Sequence, residues 1–214
     1  MNPCGYGADP KGPDMTAQLD ELTAKLRSVE AEIEAELAKR REELRFHLEN
    51  RRIIFEKEVL RIHRELKTRA TRYLIDANPL MILSAPVIYS LVVPIALLDI
   101  WVMAYQAICF PIYKIPKVRR RDYLVFDRHH LAYLNALEKL NCVYCSYANG
   151  IIAFTREIAA RTEQYWCPIK HARRVIGTHA RYALFDDYGD GENYQARLTE
   201  LRKALAKDEP AVTK

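Results

Sequence analysis

Residues 79–113 read PLMILSAPVIYSLVVPIALLDIWVMAYQAICFPIY, and the way this stretch folds decides where the chain sits. It has no Lys, Arg or Glu, and its only acid is Asp99. The hydrocarbon core of a bilayer is about 30 Å thick and a helix rises about 1.5 Å per residue, so one span takes roughly 20 apolar residues. The run is longer than one span needs and slightly short for two with a turn between them. Pro86, Pro94 and Pro111 lie inside it, and each removes a backbone donor and tends to kink or end a helix.

The flanks bear on topology. Arg61, Arg64, Lys67, Arg69 and Arg72 precede the run, and Lys114, Lys117, Arg119, Arg120 and Arg121 follow it. Basic flanks favour the cytoplasmic face, so a single span would carry one of them across against that tendency. A membrane helical hairpin with limbs Pro79–Val93 and Ile95–Tyr113 keeps both flanks on one side and is the expected form of residues 79–113. A single span and a hairpin buried in a soluble helical protein are the alternatives. Asp99 is expected to be a polar site within the membrane, since an ionisable group there is costly and faces a partner or cavity. The expected localisation is the membrane, with both termini facing the cytoplasm and membrane lipid as one partner.

Outward from this block, the N-terminal side is polar and helical in character. Residues 1–14 (MNPCGYGADPKGPD) lack the apolar core of a signal peptide and read as a disordered tail. Residues 15–76 contain no Gly or Pro. Their apolar positions include Leu19, Leu22, Leu26, Val29, Ile33, Leu37, Leu44, Leu48, Phe55, Val59, Ile62 and Leu66, spaced mostly by three, four or seven. That spacing predicts a coiled-coil stalk, with a solvated helix folded back on the C-terminal domain as the alternative; a break near Lys39–Arg41, where the seam loses its apolar residue, would split the stalk into an antiparallel pair. Glu21–Lys25 and Glu36–Arg40 have the favourable acid-first order for helix-surface pairs. A narrow apolar stripe cannot bury itself alone, so a protein partner or self-association through 15–76 is expected.

On the other side, residues 122–182 form the chemistry-bearing part. Five cysteines are present, and Cys142, Cys145, Cys167 and His171 fall in the order C-x2-C-x21-C-x3-H. A tetrahedral Cys3His set suits zinc, so these four are the candidate metal ligands, with an iron–sulfur cluster as the alternative. Packing of unliganded cysteines as small hydrophobic groups competes with both. Pro168 after Cys167 suggests that Cys167 caps the start of a new helix. His129 and His130 lie too far along what reads as one helix to join Cys142, and Arg156, Glu157, Arg161 and Glu163 read as a solvated face or as groups behind a site, and not as a catalytic set. Residues 183–214 read as an acidic turn, FDDYGDGENY, whose calcium-loop match fails at Tyr188 and Arg197, followed by a helix with Leu198, Leu201 and Leu205 on one side.

The sequence therefore predicts an all-α protein with a long coiled-coil-like helix, a membrane hairpin and a small helical Cys/His domain. A net charge of +5 concentrated beside an apolar block points to anionic lipid, and no nucleic-acid-binding motif is present. No phosphate loop, nucleophile elbow or zinc-protease signature marks an enzyme, and no small-molecule substrate is identified. The expected function is a membrane-anchored interaction or scaffold protein with a structural zinc site. A membrane redox component using an iron–sulfur or Cys-x-x-Cys site is the alternative.

Overall fold

The computed structural model describes residues 15–44, 46–49, 52–55, 57–75, 77–192 and 194–207. The expected tail 1–14 lies outside the described residues. The chain divides into two compact units, 1–62 and 63–214.

In the first unit, α1 (Met15–Glu43) is a continuous helix of strong helix formers. Both expected surface pairs form, with Lys25 Nζ 2.7 Å from Glu21 Oε1 and Arg40 Nε 3.7 Å from Glu36 Oε1. The stalk does not continue as a helix to residue 76. It ends at Glu43, and two short antiparallel strands follow, β1 (Phe46–Glu49) and β2 (Arg52–Phe55), with Phe46 opposite Phe55 and Glu49 opposite Arg52. The local composition accounts for the change: Phe46, Ile53, Ile54 and Phe55 are aromatic or β-branched and favour strand, and Asn50 is a turn former. Helix resumes as α2 (Lys57–Glu65), which runs across the boundary at residue 62, and α3 (Ala70–Ile75) belongs to the second unit.

In the second unit, residues 79–113 are helical throughout except at Leu91, which separates α4 (Pro79–Ser90) from α5 (Val92–Tyr113). Asn78 caps α4 by accepting from Leu80 N at 2.9 Å, and Pro79 takes the first position, where its missing N–H costs nothing. Leu91 keeps right-handed helical torsions, φ −63° and ψ −16°, so the chain does not reverse there. The expected hairpin is therefore corrected to a single helical run, long and apolar enough to cross a membrane. Pro94, expected to break it, falls in the first turn of α5, where an amide hydrogen has no intrahelical acceptor. α5 ends in a left-handed Lys114, φ 57°, with Ile115 N donating to Phe110 O at 2.8 Å and Lys114 N to Pro111 O at 3.3 Å. Ile115 is buried with Phe110, completing the hydrophobic contact of this type of stop.

α6 (Ala136–Trp166) is the long helix of the second unit. A reciprocal cap starts it: Asn135 Oδ1 accepts from Leu137 N and Glu138 N at 3.0 Å, and Glu138 Oε2 accepts from Asn135 N at 2.8 Å. The helix stops at Trp166 because Cys167 precedes Pro168 and is pushed out of helical torsions, to φ −150° and ψ 68°. Cys167 thus ends one helix and does not begin another.

Side-chain contacts give the direction of packing. Tyr144 OH donates to Ile88 O at 2.7 Å, Tyr147 OH to Asp99 Oδ2 at 3.0 Å and Tyr105 OH to Thr162 Oγ1 at 3.0 Å, and the Tyr113 ring lies 5.2 Å from that of Trp166. Both helices advance together along this series, so α4–α5 and α6 are parallel. The connection between them, residues 114–135, must run back along the pair. Val118 meets Gln106, Arg120 meets Asp99, and Phe126 lines a cleft with Tyr89 and Val92. Val102, Phe110, Ile115, Val118, Phe154 and Ile158 form the core with Leu205 of α7 (Tyr194–Ala206). α7 buries Leu198, Leu201 and Leu205, the face expected from the sequence.

Candidate functional site

The seam between α5 and α6 carries the polar groups of the apolar run. Buried positions in α5 are Asp99, Val102, Gln106 and Phe110, at helical spacing on one face. Asp99 is 9 % exposed and Gln106 is 4 % exposed. Asp99 binds Arg120 through two bonds, Nε to Oδ1 at 3.0 Å and Nη2 to Oδ2 at 2.6 Å, and also accepts from Tyr147. Gln106 Oε1 accepts from Val118 N at 2.8 Å, which satisfies an amide of the returning chain. Bidentate carboxylate–guanidinium pairing is the geometry in which a partly buried ion pair is best compensated. The partner of Asp99 is thus Arg120, a residue that the sequence reading placed only in the basic flank.

Directly opposite this seam, α5 is wholly apolar and open. Leu97, Trp101, Ile108 and Ile112 lie along that line at spacings of four, seven and four, and Trp101 is 77 % exposed. In α4, Leu80, Met81, Leu83 and Val87 are exposed, and no residue is buried. Beside the seam a cleft of about 380 Å³ is lined by apolar atoms of Tyr89, Val92, Phe126, Leu140, Val143 and neighbouring tyrosines.

The four proposed metal ligands do not come together. Cys142 and Cys145 lie in the second and third turns of α6 and Cys167 follows its last residue. A helix rises about 1.5 Å per residue, which puts Cys142 and Cys167 on the order of 37 Å apart. Asn149 and Gly150 are both helical, so no break in α6 lets the two pairs approach. Among the described residues, no three His, Cys, Asp or Glu side chains are grouped to hold a metal ion. Cys145 and Cys167 are exposed, Cys142 and Cys109 half-buried. His171 lies past the end of α6, stacked on Tyr182, whose hydroxyl accepts from His171 N at 2.6 Å. His129 and His130 belong to a short 3₁₀ turn, Arg128–His130, separated from α6 by residues 131–135.

The charges of the second half of α6 are also placed differently from expectation. Arg161 and Gln164 are buried. Glu157 accepts from Arg161 Nε and Arg181 Nη2, both at 2.8 Å, and Arg181 Nη1 donates to Gln164 Oε1 at 2.9 Å. Arg161 Nη1 reaches Pro116 O at 2.8 Å and Gln164 Nε2 reaches Leu201 O at 3.1 Å. His179 Nε2 is 2.9 Å from Glu163 Oε2. This network ties α6 to the returning chain, to the 3₁₀ turn Ala180–Leu184 and to α7; Arg161 is buried within it, whereas Arg156 is exposed as the solvated-face reading expected. Its signal in the sequence was weak, because the arginine spacing of an exposed helix and a buried one is the same.

The acidic segment forms a turn as expected. Gly189 adopts φ 93°, and Asp190 N donates to Asp187 O at 3.2 Å. Asp186 pairs across a single bridge with Ile169, and its Oδ2 is buried without a hydrogen-bond partner. Burial raises its pKa above the ordinary carboxylate value, opposed by the nearby Arg197 and Lys170 charges.

Comparison of the chain with protein-family models, with curated proteins and with solved structures produced no match.

Proposed function

We propose that this chain is a membrane-anchored interaction protein, with α4–α5 as the anchor and α1 as the arm that engages a protein partner or a second copy. The observation that carries this reading is the inverted pattern of α5. A helix of a water-soluble protein buries its apolar residues and exposes its polar ones. α5 buries its polar Asp99 and Gln106 beside Val102 and Phe110, and exposes Leu97, Trp101, Ile108 and Ile112. Contiguous apolar surface of this extent is the mark of a membrane or protein interface. The basic flanks support a cytoplasmic position for both chain ends.

The proposal does not rest on the four-ligand zinc set, whose two pairs are separated along α6. The test is recovery of the full chain. It should pellet with membranes, resist alkaline carbonate and float with lipid vesicles. Recovery in the detergent-free soluble fraction would reject the anchor.

A further inference from the structure

We infer that α4–α5 lies along the bilayer, embedded in one leaflet with its long axis parallel to the membrane plane, and does not cross it. This rests on the membrane reading above and specifies the geometry of the lipid surface it takes.

The argument comes from what travels beside the helix. A span stands alone in lipid or packs against other apolar helices, because lipid-exposed irregular backbone is not tolerated in hydrocarbon. Here the returning chain, residues 114–135, is irregular for most of its length and follows α5 back past Gln106 and Asp99. It carries exposed Lys117, Arg119 and Arg121. The second half of α6, level with Tyr105 and Tyr113, is surrounded by Arg181 and α7. The first half, level with Ile88 and Asp99, has Phe126 of the returning chain beside Tyr89 and Leu140, and α6 also packs against the turn Arg128–His130. No stretch of α4–α5 long enough to span is free of charged or irregular chain at the same height. Standing the helix upright would draw all of this into the core.

Laid flat, the same molecule meets each requirement. The line through Leu83, Leu97, Trp101, Ile108 and Ile112 points into the acyl chains, since residues 7, 11 or 18 apart return to nearly the same side of a helix. The seam holding Asp99 and Gln106 faces the opposite way, toward α6 and water. The exposed basic residues 117, 119 and 121 remain at headgroup height, where each contributes attraction to anionic lipid. Neither basic flank is translocated, so the charge asymmetry that suggested a hairpin is satisfied without a reversal of the chain. The polar side that an interfacial anchor needs is supplied here by the seam with α6 and by the exposed basic residues of the returning chain, and not by α4–α5 itself.

The test is the depth of single tryptophans in vesicles of three parts phosphatidylcholine to one part phosphatidylglycerol, with bromine at successive acyl positions as quencher. Three full-length proteins each retain one indole on the exposed line. The first is W166F, which keeps Trp101. The others add L83W or I112W to a W101F/W166F background. A flat helix gives one common depth at all three positions. A span separates Leu83 from Trp101 by about 27 Å and Trp101 from Ile112 by about 16 Å, so the three depths differ widely. A second measurement uses the unaltered chain tagged at residues 1 and 214 in sealed vesicles. Protease added outside should remove both tags, whereas protection of one tag with unequal tryptophan depths overturns the flat placement and leaves the membrane anchor standing. Absence of both quenching and flotation overturns the anchor itself.

Discussion

α1 and α5 both display apolar side chains to their surroundings, and the two displays differ in width. In α1 the exposed residues Leu22, Leu26, Val29, Ile33 and Leu37 form one stripe, flanked by Glu, Lys and Arg on the remaining surface. In α5 the polar residues are confined to one buried seam and most of the remaining surface is apolar. A stripe one seam wide matches another helix, whereas an apolar arc most of the way round a helix matches lipid. The width of the apolar surface, more than its presence, tells the two environments apart.

Charging each surface should break the comparison most sharply. Trp101→Glu with Ile108→Glu places two carboxylates on the α5 line opposite the seam. Each charge taken into hydrocarbon costs about 2–3 kcal/mol, so flotation with vesicles should fall by on the order of a thousandfold in partition. Leu26→Glu with Ile33→Glu should leave flotation intact and abolish concentration-dependent association in sedimentation. Loss of flotation from the α1 variant would show that the two surfaces are not independent.

The polar seam offers the next effect. Asp99→Asn leaves the Arg120 guanidinium without its counter-charge, with Arg120 39 % exposed at the side chain. Because that exposure lets water screen part of the loss, the expected destabilisation is about 1–2 kcal/mol, below that of a fully buried pair. Asp99→Asn with Arg120→Gln should recover part of it, measured by unfolding in detergent. An unchanged midpoint for Asp99→Asn would remove the ion pair from the stability of the seam.

A smaller change probes the close approach of the returning chain to α6. A Cβ at Gly150 would stand 2.8 Å from Tyr123 O and 3.1 Å from Leu124 Cγ. Gly150→Ala gains roughly 1 kcal/mol of helix propensity but forces a backbone carbonyl to move, an overpacking cost of about 1–3 kcal/mol. The net expectation is a destabilisation of about 1 kcal/mol, read from the same unfolding midpoint. A stabilised variant would mean that the returning chain yields easily.

The smallest effect is one of pH. Asp186 has its pKa raised by burial, so between the ordinary value near 3.8 and the raised one the folded state binds more protons than the unfolded state. Stability contributed by this group therefore falls as pH rises through that window. Asp186→Asn should flatten the dependence without altering membrane flotation, since the residue lies far along the chain from the α5 surface. A steeper dependence in the variant would reverse the assigned sign.

The chain's local physics was sufficient for several features. Helix formers without Gly or Pro make α1, acid-first spacing makes the Glu21–Lys25 and Glu36–Arg40 pairs, and Leu198, Leu201 and Leu205 define the buried face of α7. The helical character of residues 79–113 also follows from composition, since an apolar run this long satisfies its backbone internally as a helix. Tertiary structure decided the rest. Spacing alone made Cys142, Cys145, Cys167 and His171 look like one ligand set, but the intervening residues stay in one helix and hold the pairs apart. Gly150 lies within α6 where Tyr123 and Leu124 of the returning chain approach it, with no room for a Cβ. Arg120 became the partner of Asp99 only because residues 114–135 return along α5. Contacts between residues distant in sequence depend on which surfaces pack, and a local pattern of residue types does not carry that information.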